Sequence, residues 1–221
     1  MRSQKFKNIY FLWIQYITRI NSWRWSIQNR LAYPTEREKV CLNLGCGDKY
    51  AEGFVNLEGN VLRKKDLWLD LRNGLPFPDG SVDAIYSCHL FEHFYIDELE
   101  QILAECHRVL KPQGGIRILV PSLEQAISAY VAGQREWFTD LPASYESIGG
   151  RFFNFVFCES QHRLAFDFSF LEEILVESGF RRLLKCQPGQ SDLFSSEILM
   201  NAERVNESYV QTSLIVEAWK D

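Results

Sequence analysis

The sequence has few features that would assign it to a membrane or secreted class. Its longest apolar stretches fall well short of the ~20 residues that span a bilayer. The apolar run from Ile9 to Trp13 is short and has no small-residue cleavage site behind it, so no secretory signal peptide is predicted. Internal repeats and low-complexity segments are missing too. These absences favour a cytoplasmic protein.

The sequence also lacks a Cys-x-x-Cys pair, although it contains six cysteines. Such pairs commonly mark zinc sites and redox-active thiols. Several of the six, Cys41 and Cys106 among them, lie within apolar patterns. We therefore expect buried free thiols in a reducing compartment, which agrees with a cytoplasmic location.

An excess of positive charge is missing from the chain as a whole. The net charge is -5 and the isoelectric point is near 5.5, which argues against a nucleic-acid partner. Residues 1–35 nevertheless contain six basic residues and no acidic one, and their aromatic and aliphatic residues recur at helical spacing. We expect an amphipathic N-terminal helix there, either a lid on the remaining domain or a membrane-surface arm through residues 1–30.

The remaining 36–221 segment is long enough for one well-filled core. Its first strand is predicted over residues 40–44 and leads into Gly45-Cys46-Gly47. A second strand is predicted over residues 54–58 and ends at Glu58. Only six residues separate Gly47 from this strand, too few for a crossover helix, so we expect a short turn.

Strand and helix patterns alternate along the rest of this segment. Strands are predicted over residues 67–71, 82–87, 116–120, 180–186 and 214–219, and helices over 96–110, 123–131 and 170–178, the last capped by Ser169. Residues 133–166 are less regular and rich in aromatic side chains, and we expect them to cover the substrate. The alternation predicts an α/β fold with a mostly parallel sheet.

The early acid discriminates between cofactors. A dinucleotide-binding fold normally has its acidic residue about 20 residues after the glycines, behind a complete helix. Glu58 comes too soon for that arrangement, and Tyr50 stands where the third glycine of the dinucleotide motif belongs. The spacing therefore disfavours a nicotinamide dinucleotide.

Four motifs in order carry a resemblance to a known family. They are Leu-Asn-Leu-Gly-Cys-Gly at 42–47, Asn-Leu-Glu at 56–58, Asp70 with Leu-Pro-Phe-Pro-Asp-Gly-Ser-Val-Asp at 75–83, and Glu-Cys-His-Arg-Val-Leu-Lys-Pro-Gln-Gly-Gly at 105–115. With them the sequence resembles the class I S-adenosylmethionine-dependent methyltransferases, particularly the type 11 branch. The resemblance implies a Rossmann-like sheet with helices on both faces, an antiparallel last strand, and methyl transfer from S-adenosylmethionine to a small-molecule acceptor.

The resemblance also implies roles for particular residues. Gly45 and Gly47 would approach the methionine part of the cofactor, and Glu58 would hold the ribose hydroxyls. Asp70 would accept a hydrogen bond from adenine beside Leu71, although it could equally cap the turn that follows it. The other expected cofactor contacts are Asn43, Cys46, Ser87, Cys88 and His89. Asn43 stands where many relatives carry an acid.

Methyl transfer requires a general base only if the acceptor loses a proton. His89, His93 and His162 are the candidates, and structural hydrogen bonds are the alternative role for each. A metal site made from these histidines and Glu92 is conceivable, but without a compact ligand motif the sequence predicts none. The alternative function is a non-catalytic S-adenosylmethionine-binding module that serves in protein or membrane interaction.

Overall fold

The computed structural model describes residues 39–140 and 143–221, and the predicted N-terminal helix over residues 1–35 lies outside them. The strands are β1 (Cys41–Leu44), β2 (Val55–Glu58), β3 (Leu67–Trp68), β4 (Val82–Cys88), β5 (Leu110–Pro121), β6 (Arg181–Lys185) and β7 (Ser213–Trp219). They form one sheet in the order β3-β2-β1-β4-β5-β7-β6. Strands β1 to β5 are parallel, and β7 is antiparallel to β5 and β6. The predicted sheet with an antiparallel last strand is confirmed.

The helices are α1 (Ile96–Val109), α2 (Leu123–Val131), α3 (Ile148–Phe157), α4 (Phe168–Glu177), α5 (Ser196–Ala202) and α6 (Ser208–Gln211). Alternate residues of the strands point to opposite faces of the sheet. Ile85 of β4 belongs to the core shared with α1 and α4, whereas its neighbour Tyr86 packs with Phe194 and α5 on the other face. Helices therefore cover both faces, as expected. Within the described part of the chain, no helix is long and apolar enough to cross a membrane.

Among the predicted boundaries that are wrong, two have a clear local cause. Strand β3 ends at Trp68 instead of residue 71 because Asp70 caps the 3-10 helix Leu71–Asn73, accepting from the backbone N–H of Arg72. Helix α4 begins at Phe168, and its N-cap is Asp167 rather than Ser169. The Asp167 carboxylate accepts from the Phe170 N–H at 2.8 Å and from the Ser169 hydroxyl at 2.9 Å. The helix is therefore capped by the carboxylate of Asp167, two residues before the serine that was expected to cap it.

Residues 133–166 are more regular than the sequence predicts. They contain α3, which is capped by Ser147 and packs against α2 through a small apolar cluster that includes Phe138. Gly149 and Gly150 open this helix, and the low helix propensity of glycine conceals it in the sequence. The segment returns to the sheet where the N–H groups of Arg163 and Leu164 donate to the Glu92 carbonyl.

A buried ion-pair cluster fixes the late part of the chain to the sheet. Arg117 of β5 is fully buried, and its guanidinium donates to Glu203 at 2.8 Å and to Glu217 at 2.9 Å. Both carboxylates are also inaccessible to solvent. Glu203 follows α5, so the cluster connects a helix that the sequence did not predict to the centre of the sheet.

Candidate cofactor site

A cavity of about 230 Å³ lies beyond the carboxyl ends of β1, β2 and β3. Its wall includes Gly45, Glu58, Asp70, Leu71 and Leu90. Parallel α/β sheets gather their ligands at this edge, because the loops leaving successive strands meet there. The fold therefore brings four of the residues predicted from sequence to bind a cofactor to one cavity: Gly45, Glu58, Asp70 and Leu71. Leu90 was not predicted from sequence.

Glu58 is the acidic residue of this wall, and the backbone holds it in place. Its Oε2 accepts from the Gly47 N–H at 2.8 Å, and its Oε1 accepts from the Asn60 N–H at 2.6 Å. A carboxylate has about four acceptor positions, so two remain after these contacts. The group is thus oriented by the glycine loop and can still accept from a pair of hydroxyls.

Gly45 leaves space for the side chain of Leu90, which also lines the cavity. Its φ is +62°, and a Cβ at this position would lie 2.5 Å from Cδ1 of Leu90. Both the backbone conformation and the contact require glycine. Gly47 also has a positive φ, +53°, and this turn directs its N–H to Glu58. The two glycines shape the loop in different ways.

Asp70 serves the turn and the cavity wall together. Besides capping the 3-10 helix, its Oδ2 lies 2.7 Å from Nη2 of Arg72 in a half-buried ion pair. Its side chain is only 9% exposed, and Leu71 beside it contributes apolar surface to the wall. The capping role that the sequence left open is present, and it does not take Asp70 away from the cavity.

Asn43 and Cys46 are buried behind the wall. Asn43 donates its side-chain N–H to Oδ1 of Asn56 at 2.9 Å and to the carbonyl of Lys49 at 3.1 Å. Asn56 also accepts from the Ala51 N–H, so the pair holds the short connection between β1 and β2 in place. A carboxylate at this position could not donate to these two oxygens, which explains the amide. Cys46 is 4% exposed, and burial raises the pKa of its thiol to about 12.

Ser87, Cys88 and His89 form a separate group at the end of β4. Ser87 is buried, burial raises the pKa of the Cys88 thiol to about 11, and His89 has a φ of +50°. The His89 Nε2 lies 2.8 Å from the Ser213 hydroxyl oxygen. Burial and the nearby charge of Lys49 lower the pKa of His89 to about 3, so this imidazole is neutral.

The three histidines named from the sequence converge on Glu92. Its Oε1 lies 3.6 Å from Nδ1 of His89 and 4.0 Å from Nε2 of His162. The rings of His93 and His162 are 5.0 Å apart. Burial raises the pKa of Glu92 to about 8 and lowers the pKa of His162 to about 4. Glu92 is the centre of the group, a position that the sequence could not reveal because His162 comes from a distant segment.

Comparisons with known proteins agree with the motifs. A family model described as a methyltransferase domain matches residues 63–118, which include the third and fourth motifs. A probable S-adenosylmethionine-dependent methyltransferase of Mycolicibacterium smegmatis is 29% identical over 113 residues, covering 43% of this chain and 43% of the relative. Malonyl-[acyl-carrier protein] O-methyltransferase 1 of Coxiella burnetii is 42% identical over 65 residues, covering 28% of this chain and 22% of the relative. The chain spans less than half the length of these curated relatives.

A solved structure extends the similarity of fold beyond the residues that the family model matches. A SAM-dependent methyltransferase from Archaeoglobus fulgidus aligns with a TM-score of 0.50 and 17% identity, covering 96% of this chain and 99% of that one. The shared fold, the matched family model and the ordered motifs agree with one another, and the motif residues Glu58 and Asp70 lie on one cavity wall. The family-model match over residues 63–118 and the similarity to these curated relatives support a class I S-adenosylmethionine-dependent methyltransferase domain of the type 11 branch.

Proposed function

We propose that this chain binds S-adenosylmethionine beside Glu58 and transfers its methyl group to a small-molecule acceptor. The observation that carries the proposal is the Glu58 carboxylate, which is held on the cavity wall by the Gly47 and Asn60 N–H groups with acceptor positions to spare. A carboxylate so placed suits two ribose hydroxyls. The methyltransferase-domain match and the similarity to an S-adenosylmethionine-dependent relative support the identity of the cofactor.

The other wall residues divide the proposed cavity. Asp70 and Leu71 are proposed to face adenine, one by accepting a hydrogen bond and the other by apolar contact. Gly45 is proposed to lie against the methionine part, where any side chain would strike Leu90. Asn43 and Cys46, although buried, would act indirectly by holding the loop.

The acceptor side is proposed to lie at the end of β4, near Ser87, Cys88 and His89. S-adenosylmethionine supplies an activated methyl group on a sulfonium, so the protein's main task is alignment of the acceptor and exclusion of water. His89 and His162, with pKa values lowered to about 3 and about 4, are weak bases near neutral pH. We therefore propose that His89 and His162 position the acceptor and do not remove a proton from it.

Residues 133–166 are proposed to cover the acceptor. Support comes from their anchoring to the site, since the Arg163 N–H lies 2.6 Å from the Glu92 carbonyl oxygen and His162 faces the Glu92 side chain. Nothing in the described residues favours the alternative of a non-catalytic binding module. The short connection after Gly47 is hydrogen-bonded through Asn56.

Calorimetric titration tests the cofactor assignment. S-adenosylmethionine and S-adenosylhomocysteine should bind with one site per chain, whereas a nicotinamide dinucleotide should give no heat. The reverse result would overturn the proposal. If both adenosyl ligands bind but no acceptor in a broad panel is methylated, the binding-module alternative gains support.

Peripheral membrane contact through residues 1–30 also remains a prediction. Co-sedimentation of the full chain with anionic vesicles, compared with a chain lacking these residues, tests it. Loss of sedimentation on deletion is expected for a membrane arm. If the protein with residues 1–30 never sediments with vesicles, the membrane interpretation is contradicted. The alternative interpretation, a lid on the remaining domain, would then be favoured.

A further inference from the structure

Glu92 presents a buried carboxylate that lacks a hydrogen-bond donor. Glu92 lies in the 3-10 helix Phe91–His93 after β4 and is only 1% exposed to solvent. Within residues 39–140 and 143–221, neither side-chain oxygen has a hydrogen-bond partner. Burying an anion without a donor is costly, so such a group either takes up a proton or meets a cation. Lys49 contributes its charge from a distance and donates no hydrogen bond to this group.

The neighbouring histidines direct lone pairs rather than protons toward this carboxylate. Nδ1 of His162 lies 2.9 Å from the Val156 carbonyl oxygen, and Nδ1 of His93 lies 3.1 Å from the Gln161 carbonyl oxygen. A carbonyl oxygen can only accept, so both Nδ1 atoms carry the hydrogen. The Nε2 atom of each neutral ring is therefore a free electron-pair donor.

His89 follows the same pattern. Its Nε2 is bonded to the Ser213 oxygen, and the Ser213 hydroxyl hydrogen is directed to the Tyr209 carbonyl. Nε2 must then donate, which leaves a lone pair on Nδ1, 3.6 Å from Glu92. With Glu92 ionised, three imidazoles and one carboxylate thus converge as acceptors only.

We propose that Glu92, His93 and His162 bind a divalent transition-metal ion, for which Zn²⁺ is the probe. One ligand atom from each residue lies within 4.8 Å of the other two. Metal–ligand bonds of about 2.0–2.2 Å bring such atoms to roughly 3–4 Å from one another, so a small inward adjustment suffices. Nitrogen and carboxylate ligands suit zinc and its neighbours better than magnesium.

The surroundings of the histidines fit this assignment. A metal-binding histidine usually donates its second ring N–H to a carbonyl or carboxylate, and His93 and His162 both donate to backbone carbonyls. Three protein ligands would leave at least one coordination position for water or another donor, and Nδ1 of His89 faces the same carboxylate. The sequence alone had predicted no metal.

Metal titration of the tag-free full chain, first treated with a chelator, tests the proposal. Zn²⁺ alone should bind with one site per chain by calorimetry. Co²⁺ in its place should give visible absorption of four- or five-coordinate nitrogen and oxygen ligation, without near-ultraviolet thiolate bands. His162→Gln and Glu92→Gln should weaken binding by more than the ~10- to 100-fold that loss of an outer partner costs.

Two further variants keep the test decisive. His107→Gln replaces the fourth histidine of the chain, which packs on Phe180 away from the cluster, and should bind Zn²⁺ normally. His93 is exposed, so His93→Gln should lose Zn²⁺ affinity without loss of circular dichroism or thermal stability. Absence of Zn²⁺ binding, thiolate bands with Co²⁺, or equal loss in His107→Gln would overturn the site. The readout needs no S-adenosylmethionine, so it is independent of the proposed function.

Discussion

Replacement of Glu58 by alanine is the sharpest perturbation of the proposed cofactor site. The carboxylate now accepts from the Gly47 and Asn60 N–H groups, and a ribose would add two hydroxyl donors. Loss of a hydrogen-bond partner from a buried polar group costs ~1–3 kcal/mol. We expect S-adenosylmethionine binding to weaken by that amount, which corresponds to about 5- to 150-fold in the dissociation constant.

Calorimetry on two matched variants separates binding from folding. Glu52→Ala removes an exposed acid from the same connection and should leave affinity within about twofold, since exposed ion pairs contribute little. Glu58→Gln keeps one oxygen that can accept from the backbone and should fall between wild type and alanine. Urea unfolding without ligand measures how much each change costs the fold. Unchanged affinity in Glu58→Ala would refute the ribose assignment.

Three further substitutions probe the scaffold and the loop. Arg117→Met should destabilise the protein by ~3–5 kcal/mol in urea unfolding, because it strands two buried carboxylates. Gly45→Ala should cost ~1–2 kcal/mol for its positive φ and also weaken S-adenosylmethionine binding, because Leu90, which lines the cavity, must move to avoid the added Cβ. The hydrogen bond from Arg108 lowers the pKa of Glu105, so Glu105→Gln should destabilise most at pH 7, and the difference should shrink as pH falls below about 4.

Each of these three substitutions has a control variant that tests the physical reason given for its effect. Arg204→Met breaks an exposed ion pair and should cost less than about 1 kcal/mol; an equal loss would contradict the role of burial. Gly53→Ala shares the positive φ but meets open space, so it should lose stability without losing affinity. Glu100→Gln changes an exposed glutamate on the same helix as Glu105 and should cost little stability at pH 7. A Glu105→Gln effect independent of pH would contradict the ionic explanation.

The central sheet was predictable because buried parallel strands are short apolar runs. β1, β2, β4 and β5 are all present where the pattern indicated them, although β5 begins at Leu110 and not at residue 116. The helices α5 and α6 were missed because both are short, and what holds the region is the contact of Glu203 with Arg117 from a distant strand. Such a contact leaves no periodic signal in the sequence.

In the candidate site, too, residues placed by a local motif were predictable, whereas residues placed by contacts between distant segments were not. Glu58 and Gly45 could be named from a local motif, since one strand and one loop determine where they lie. Asn43 was assigned to the cofactor, but its side chain is directed to Asn56, and only the folded pairing of β1 with β2 reveals that. The gathering of three histidines around Glu92 depends on how residues 133–166 return to the sheet, which no spacing rule predicts.

The most direct test of the account is transfer of an isotope-labelled methyl group from S-adenosylmethionine into a cell extract by the full-length protein. We predict label in a small-molecule fraction with wild type, and a marked loss of that label with Glu58→Ala at limiting cofactor. Label that never leaves S-adenosylmethionine, although the protein binds it, would contradict the claim that this chain is a methyltransferase.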